Sequence, residues 1–386
     1  MAHCATILEQ MVRLFSRYEF EKLVKEHGAE YHARGVRSWS HFAAMIYGQL
    51  AGQDSLRGIE AGLATQGNNL YHMGVKPLSR PTLAYLNAHR PQSLFQAVFL
   101  KMLSKCQAVA PQHKFRFKNP LYTIDATLIR LCLSLYDWAK FRKTKGAVKL
   151  HVKFNHAGYL PNYMILTTGR VHETQVAPNI PLEKGDVVIF DRGYLDFKQL
   201  KSLDLRGISF VIRGKRNAAY RVTERRKPVH SDTIADQTIE LKVFHSRQSY
   251  PTRLRRVVAR DPETKKRVVL LTNQFKWSAS TIAKIYRERW QIELFFKTIK
   301  QQLKVKSFVG TSENALLSQL WSALIAYLLL SYLKFVSKFK WSLYTLSSII
   351  PTNLFSKRDL WDWLNNPFGP RGPVNSSPPQ LLLNFG

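Results

Sequence analysis

The chain has 386 residues, enough for two or three domains and a substantial buried core. Its 58 Lys and Arg against 26 Asp and Glu leave a net charge of +32, far beyond what solubility requires, and such an excess calls for a polyanionic partner. Nucleic acid is the first candidate and an anionic lipid surface the rival, whereas three scattered cysteines, Cys4, Cys106 and Cys132, form no metal-ligand spacing, which argues against zinc and fits a reducing, cytoplasmic setting.

The N-terminus shows no basic stretch followed by an apolar one, so no secretory signal is expected. Residues 1–112 read as an all-helical N-terminal domain. The run from Phe15 to Val24 is helically periodic, and Trp39 to Gly48 continues the pattern. A helix over Ser55 to Leu63, a Gly/Asn-rich turn at Gln66 to Asn69, and a helix from Leu78 to Asn87 follow; Ser79 can cap the last, whose first turn tolerates Pro81. Two short helices about a glycine-containing turn suggest a helix-turn-helix reader, although plain packing explains them equally well. Helix continues over 93–110 and leads to a basic hinge, His113 to Pro120.

The segment 113–203 reads as the first part of a mixed sheet. Leu121 onward is rich in branched residues and bounded by Pro120, a buried strand with Asp125 inside it. A carboxylate there is costly unless paired or bound to metal; the bland alternative is an Asp capping a turn at a strand end. Val148 to Phe154 and Leu160 to Thr168 read as antiparallel partners across an Asn-His-Ala-Gly turn. Val187 to Phe190 is a short apolar strand that ends at Asp191, followed by a turn at Gly193 and a helix from Tyr194 to Leu203. An Asp at the carboxyl end of a buried strand stands where open α/β sheets place ligand groups. The span 204–273 reads as a β-rich insertion domain, with strands at Ile208–Arg213, Tyr220–Thr223, Thr238–Phe244, Leu254–Ala259 and Arg267–Thr272. Its cations include Arg213, Lys215, Arg216, Arg225, Arg226, Arg255 and Arg256. Singly each is an ordinary solvated charge; together they suggest a face that neutralises phosphates.

Residues 274–340 complete the sheet-bearing domain, and 341–386 read as a C-terminal helical segment with a flexible, Pro/Gly/Ser-rich tail. Leu316 to Leu333 is apolar enough to pose a membrane question, but Ser318, Gln319, Ser322 and Ser331 interrupt it and a buried core helix is expected. Before it comes the chain's densest cluster of chemistry. On one helix, at about 100° per residue, Tyr286, Arg289, Glu293, Lys297 and Lys300 fall within an arc of roughly 80°, beside an apolar stripe of Ile285, Ile292, Phe295, Phe296, Ile299 and Leu303.

The spacing Tyr286-x2-Arg289-x3-Glu293-x6-Lys300 resembles the signature helix of the DDE transposases of bacterial insertion sequences, in the large family called insertion sequence four. Asp125-Ala-Thr resembles that family's first carboxylate motif and Asp191-Arg-Gly-Tyr-Leu-Asp-Phe its second; the likeness spans about residues 120–335, and residues 1 to about 75 resemble a helical domain of one branch. It implies an α/β fold, a ribonuclease-H-like mixed sheet flanked by helices and interrupted by the insertion domain. It also implies a catalytic and metal-binding triad of Asp125, Asp191 and Glu293 holding two Mg2+ ions, with Mn2+ a possible substitute; Asp125 bridges both ions while Asp191 and Glu293 hold one each. By the same likeness Tyr286 and Lys300 contact phosphate, Arg289 supports the site, and Trp277 or Trp290 could stack a flipped base, although core packing is the simpler role of each. The activity implied is cutting double-stranded DNA at the element's terminal inverted repeats through hairpin ends and joining it to a target, by a homodimer and without a membrane. No phosphate-binding Gly-rich loop is present, so no nucleotide cofactor is expected. A resolvase-like nuclease would not need Tyr286 and Lys300, and a non-catalytic DNA-binding derivative would not need the three carboxylates.

Overall fold

Among the described residues seven helices precede the first strand: α1 (Ile7–Val12), α2 (Arg17–Glu26), α3 (Ser38–Leu50), α4 (Leu56–Ala64), α5 (Gly67–His72), α6 (Arg80–His89) and α7 (Gln92–Val109). The computed structural model describes residues 5–369 except 32, 34, 132–135, 143–144, 216–217, 228–229, 262–263, 302 and 304–309, so Arg216, Cys4, Cys132 and the tail from 370 lie outside the described residues. Ser16, Ser55 and Ser79 cap α2, α4 and α6 by accepting the backbone N–H three residues on. The expected turn at Gln66–Asn69 is instead the start of α5. Asn69 Nδ2 donates to Gln66 Oε1 at 2.8 Å and Leu70 is buried, so a polar run gains an apolar anchor and coils. The two-helix unit is thus three short helices.

The strands are β1 (Leu121–Leu131), β2 (Lys140–Arg142), β3 (Lys145–Asn155), β4 (Leu160–Thr168), β5 (Val187–Phe190), β6 (Ser209–Arg213), β7 (Tyr220–Arg226), β8 (Thr233–Leu241), β9 (Leu254–Arg260) and β10 (Arg267–Thr272). They share one sheet in the order β2-β3-β1-β5-β6-β10-β9-β8-β7, with β4 also paired to β3. β1 is antiparallel to β3 and parallel to β5, which is parallel to β6. From β6 outward the pairing turns antiparallel, so the strands of 204–273 run on from the same sheet. The strand expected over Thr238–Phe244 lies earlier, because Val243 begins a helix.

The remaining helices are α8 (Glu173–Val176), α9 (Phe197–Leu205), α10 (Phe244–Ser249), α11 (Ala279–Arg287), α12 (Trp290–Gln301), α13 (Glu313–Val336), α14 (Leu343–Asn353) and α15 (Leu360–Asn365). Strand alternation divides β5 between two layers: Val188 and Phe190 pack with Leu200 of α9, and Val187 and Ile189 with Ile282 and Ile285 of α11. A larger core contains Phe42 of α3, Phe95 of α7, Leu150 of β3, Phe295 of α12 and Leu328 of α13, so the N-terminal helices and the sheet share one apolar interior. The apolar run from Leu316 lies within α13, buried against α7, α3 and α6, and is the core helix its serines suggested. Ser322 and Ser331 donate to the carbonyls four residues back, which satisfies their hydroxyls inside the helix. Backbone bonds from Ile7 and Leu8 to Ser356 and Leu354 tie the start of the chain to its C-terminal helices.

Candidate active site

Parallel pairing fixes the first two carboxylates. Ile124 of β1 lies opposite Phe190 of β5, and Phe190 opposite Ile212 of β6, so the next residues along, Asp125, Asp191 and Arg213, come side by side, at the carboxyl ends of β5 and β6 and within β1 just past its parallel pairing. This is the edge at which open α/β sheets collect ligand groups. Glu293 faces them from α12, whose apolar stripe of Ile292, Phe295, Phe296 and Ile299 is buried as expected. All three carboxylates line a cavity of about 500 Å³, together with Arg213, Arg289, Lys297 and Lys300.

The expected single signature helix is two helices. α11 ends at Arg287 and α12 begins at Trp290, and between them the amides of Arg289, Gln291 and Ile292 each bond a carbonyl three residues back. The break brings Arg289 between two carboxylates: Nη1 donates to Asp125 Oδ2 at 3.2 Å and Nη2 to Glu293 Oε1 at 2.5 Å. Tyr286 Oη donates to Asp191 Oδ1 at 3.2 Å, and Lys300 Nζ donates to the Thr127 hydroxyl and, at 3.0 Å, to the Leu128 carbonyl. Each signature residue except Lys297, which is exposed on the cavity wall, therefore touches β1, Asp191 or Glu293.

Burial pushes the Asp125 carboxyl up to about 6, with Asp191 and Glu293 adding repulsion, while the Ala126 N–H at 2.8 Å and Arg289 oppose the shift. Burial likewise pushes the Tyr286 phenol up to about 12, with help from the Asp191 charge, so it is a hydrogen-bond donor at neutral pH. Desolvation works against the Arg289 charge, but Tyr286, Glu293 and Asp125 more than offset it and hold its pKa above the usual value. Among the described residues no three His, Cys, Asp or Glu side chains converge as a ready metal cluster. Asp125 and Glu293 are instead bridged by the Arg289 guanidinium, and Asp191 accepts from Tyr286.

The cations of 204–273 do not act as one set. Arg213 belongs to the cavity. Arg255, expected on a DNA-binding face, is only 2 % exposed: it pairs with Asp236 at 2.7 Å and donates to the carbonyls of Gln274 and Trp277, tethering the loop that leads into α11. Such a side chain is unavailable to phosphate. Arg226 bonds Glu224 and Thr238, and Arg256 bonds Gln237 beneath the Tyr220 ring, so both are engaged within the sheet. Lys215 and Arg225 are exposed. Trp277 packs face to face on Phe117 with ring centroids 4.4 Å apart, as a core aromatic would, but Trp290 is 57 % exposed and is not a core residue. Thr127 belongs to the Asp125-Ala-Thr motif but has no role assigned from the sequence, although strand alternation alone places it on the face of Asp125 two residues away.

Three carboxylates thus line one cavity, two of them from neighbouring parallel strands and the third from a helix rich in cations. The family model for the transposase DDE domain matches residues 116–329, and a domain of unknown function matches 3–76. The chain belongs to the DDE transposases of bacterial insertion sequences. It is 32% identical over 307 residues to y4zB of Sinorhizobium fredii, a protein described as a transposase, covering 77% of this chain and 84% of that one. It is 31% identical over 243 residues to the transposase described for insertion sequence element IS5377 of Geobacillus stearothermophilus, covering 63% and 64%. A solved piggyBac transposase synaptic complex with hairpin DNA aligns at a TM-score of 0.45 and 11% identity over 95% of this chain and 82% of that one, too loosely to bear on the site.

Proposed function

We propose that this transposase binds the terminal inverted repeats of its own insertion sequence, cuts the DNA there and joins the ends to a target. The observation that carries this is the shared cavity of Asp125, Asp191 and Glu293, ringed by Arg213, Lys297 and Lys300. The strand order β4-β3-β1-β5, with β1 and β5 parallel, supports a ribonuclease-H-like core for residues 113–203 and 274–340, whose parallel part β6 extends from the segment 204–273.

The donor set fits a hard divalent cation: three carboxylates line the cavity and, among the described residues, no thiol or imidazole does. Asp125, Asp191 and Glu293 would hold Mg2+, which supplies a lowered water pKa and charge relief at the leaving oxygen; two ions per site is our preferred count. Arg289 must yield Asp125 Oδ2 and Glu293 Oε1 to such an ion, and until then its charge opposes the burial that pushes the Asp125 carboxyl up. Lys297, Lys300 and Arg213 place positive charge on the cavity wall, where a DNA backbone approaching the carboxylates needs it. Tyr286, protonated at neutral pH, now gives its one proton to Asp191; with that carboxylate on a cation, the hydroxyl would be free to donate to a phosphate oxygen beside it. The helices of 1–112 and the exposed Lys215 and Arg225 are the proposed holds on the end DNA, two protomers the working unit, and hairpin ends the excision intermediate.

The test uses purified protein, linear DNA carrying the repeats that flank the gene, and Mg2+. Cutting at the repeat boundary by wild type, lost in Glu293→Gln with end binding retained, is the expected result. Binding by both without cutting by either would withdraw the catalytic half, and the absence of covalently closed ends during excision would remove the hairpin step.

A further inference from the structure

The break between α11 and α12 needs a physical cause. Sharp bends in helices come from proline, glycine or a side chain that intrudes on the hydrogen-bond ladder, and the stretch from Lys284 to Ile292 contains neither Pro nor Gly. The residue at the break is Glu288, immediately before Arg289. Its carboxylate points away from the cavity and accepts a hydrogen bond from Tyr159 Oη at 3.1 Å. His156 Nδ1 lies 3.8 Å from the same oxygen, within reach of a dipolar attraction but too far for a hydrogen bond, and His156 Nε2 is 2.7 Å from the hydroxyl of Thr123. Thr123 belongs to β1, two residues before Asp125 and on the same face of the strand. One polar chain thus links the strand that bears Asp125 to the helix junction that bears Arg289.

Tyr159 is held where it is at a cost. It is one of two non-glycine residues with positive φ among the described residues, at 59°, a conformation that L side chains avoid and that persists only when the surroundings enforce it. Those surroundings are identifiable. Tyr327 of α13 donates to the Tyr159 carbonyl at 2.9 Å, and Asn155 accepts from the Ala157 N–H at 2.8 Å to shape the turn. The preceding Gly158, at φ +69°, sits where a Cβ would lie 2.8 Å from Ala110 and 2.9 Å from Phe335. The β3–β4 turn is therefore wedged between α7 and α13, with its tyrosine hydroxyl aimed at Glu288.

We propose that Glu288 is a positioning residue: gripped by Tyr159 and drawn toward His156 and Thr123, it sets the α11–α12 junction and so aligns Arg289 with Asp125 and Glu293. Burial keeps His156 neutral, so a Thr123 hydroxyl donating to Nε2 with Nδ1–H turned toward Glu288 serves every group in the chain. Neither Glu288 nor Tyr159 is among the residues that line the cavity. The consequence for cleavage rests on the function proposed above; the consequence for the junction does not.

Two variants test it, Tyr159→Phe, which removes one oxygen, and Glu288→Gln. In metal-free, DNA-free protein, hydrogen exchange across 288–292 is expected to quicken about tenfold in both, with the α3 and α7 amides unchanged. With end DNA and Mg2+, single-turnover cleavage is expected to fall about tenfold while end affinity stays within about twofold. Combined with Arg289→Lys, Glu288→Gln should slow cleavage no further than Arg289→Lys alone, because both act through the same guanidinium. Unchanged exchange in both variants, or losses that multiply in the double variant, would overturn the proposal. If wild type itself cuts no DNA, the proposed function fails while the exchange result still decides the junction.

Discussion

Replacing Asp125 by Asn removes a negative charge that the fold holds against its own preference. The metal-free carboxyl titrates at about 6 against an ordinary 3.8. A carboxyl whose folded pKa is raised favours the native state while protonated, so its contribution is fully present below 3.8 and is lost as pH rises through 6. A gap of about 2 units corresponds to about 3 kcal/mol in full, of which about 2 kcal/mol falls between pH 4.5 and 7.5. The side chain is 18% exposed, so solvent screening removes little of this. Reversible urea unfolding in EDTA, run on both proteins across that range, should show the Asn variant gaining about 2 kcal/mol relative to wild type as pH rises. Only the change with pH is diagnostic, since the constant part absorbs the altered bonds to Ala126 and Arg289. Added Mg2+ should reverse the order by stabilising wild type alone. A difference that stays flat with pH would refute the view that Asp125 is kept from ionising easily in the absence of a cation.

The two arginine classes of the outer sheet should separate cleanly. Arg255→Met strips the buried Asp236 of its closer partner and leaves only the longer 3.5 Å contact with Arg226, so it should cost about 3 kcal/mol in denaturant unfolding, whereas Arg225→Ala should change stability by under about 0.5 kcal/mol. Arg225→Ala should instead weaken end binding and lower its salt slope by about 1, measured by fluorescence anisotropy across a salt series. Arg289→Lys keeps the charge but cannot span Asp125 and Glu293 with a rigid fork, and single-turnover cleavage should drop at least about tenfold with end affinity retained.

The site was legible in the chain because its parts are local patterns: a carboxylate inside an apolar strand, another at a strand end, and a helix face on which spacing alone collects Tyr286, Glu293 and Lys300. Strand alternation and capping serines placed most elements within a few residues. What spacing cannot report is pairing across the sequence. Nothing near Arg255 in the chain distinguishes it from Arg225; Asp236, nineteen residues away, turns it inward. Likewise the α11–α12 break has no Pro or Gly to announce it, because its partners Tyr159 and His156 come from a turn some 130 residues upstream. The apparent turn at Gln66–Asn69 failed for a related reason: composition favoured a loop, and the burial of Leu70 outweighed it.

The most direct test of the carboxylate site is a change of metal preference at Asp191. In Asp191→Cys a hard oxygen ligand becomes a soft thiolate, which binds Mg2+ poorly and Mn2+ better. Cleavage of terminal-repeat DNA should be lost in Mg2+ and recovered, at least in part, in Mn2+, with end binding unchanged in both. Undiminished cleavage by Asp191→Cys in Mg2+ would contradict the assignment of Asp191 as a metal-holding residue, and with it the triad.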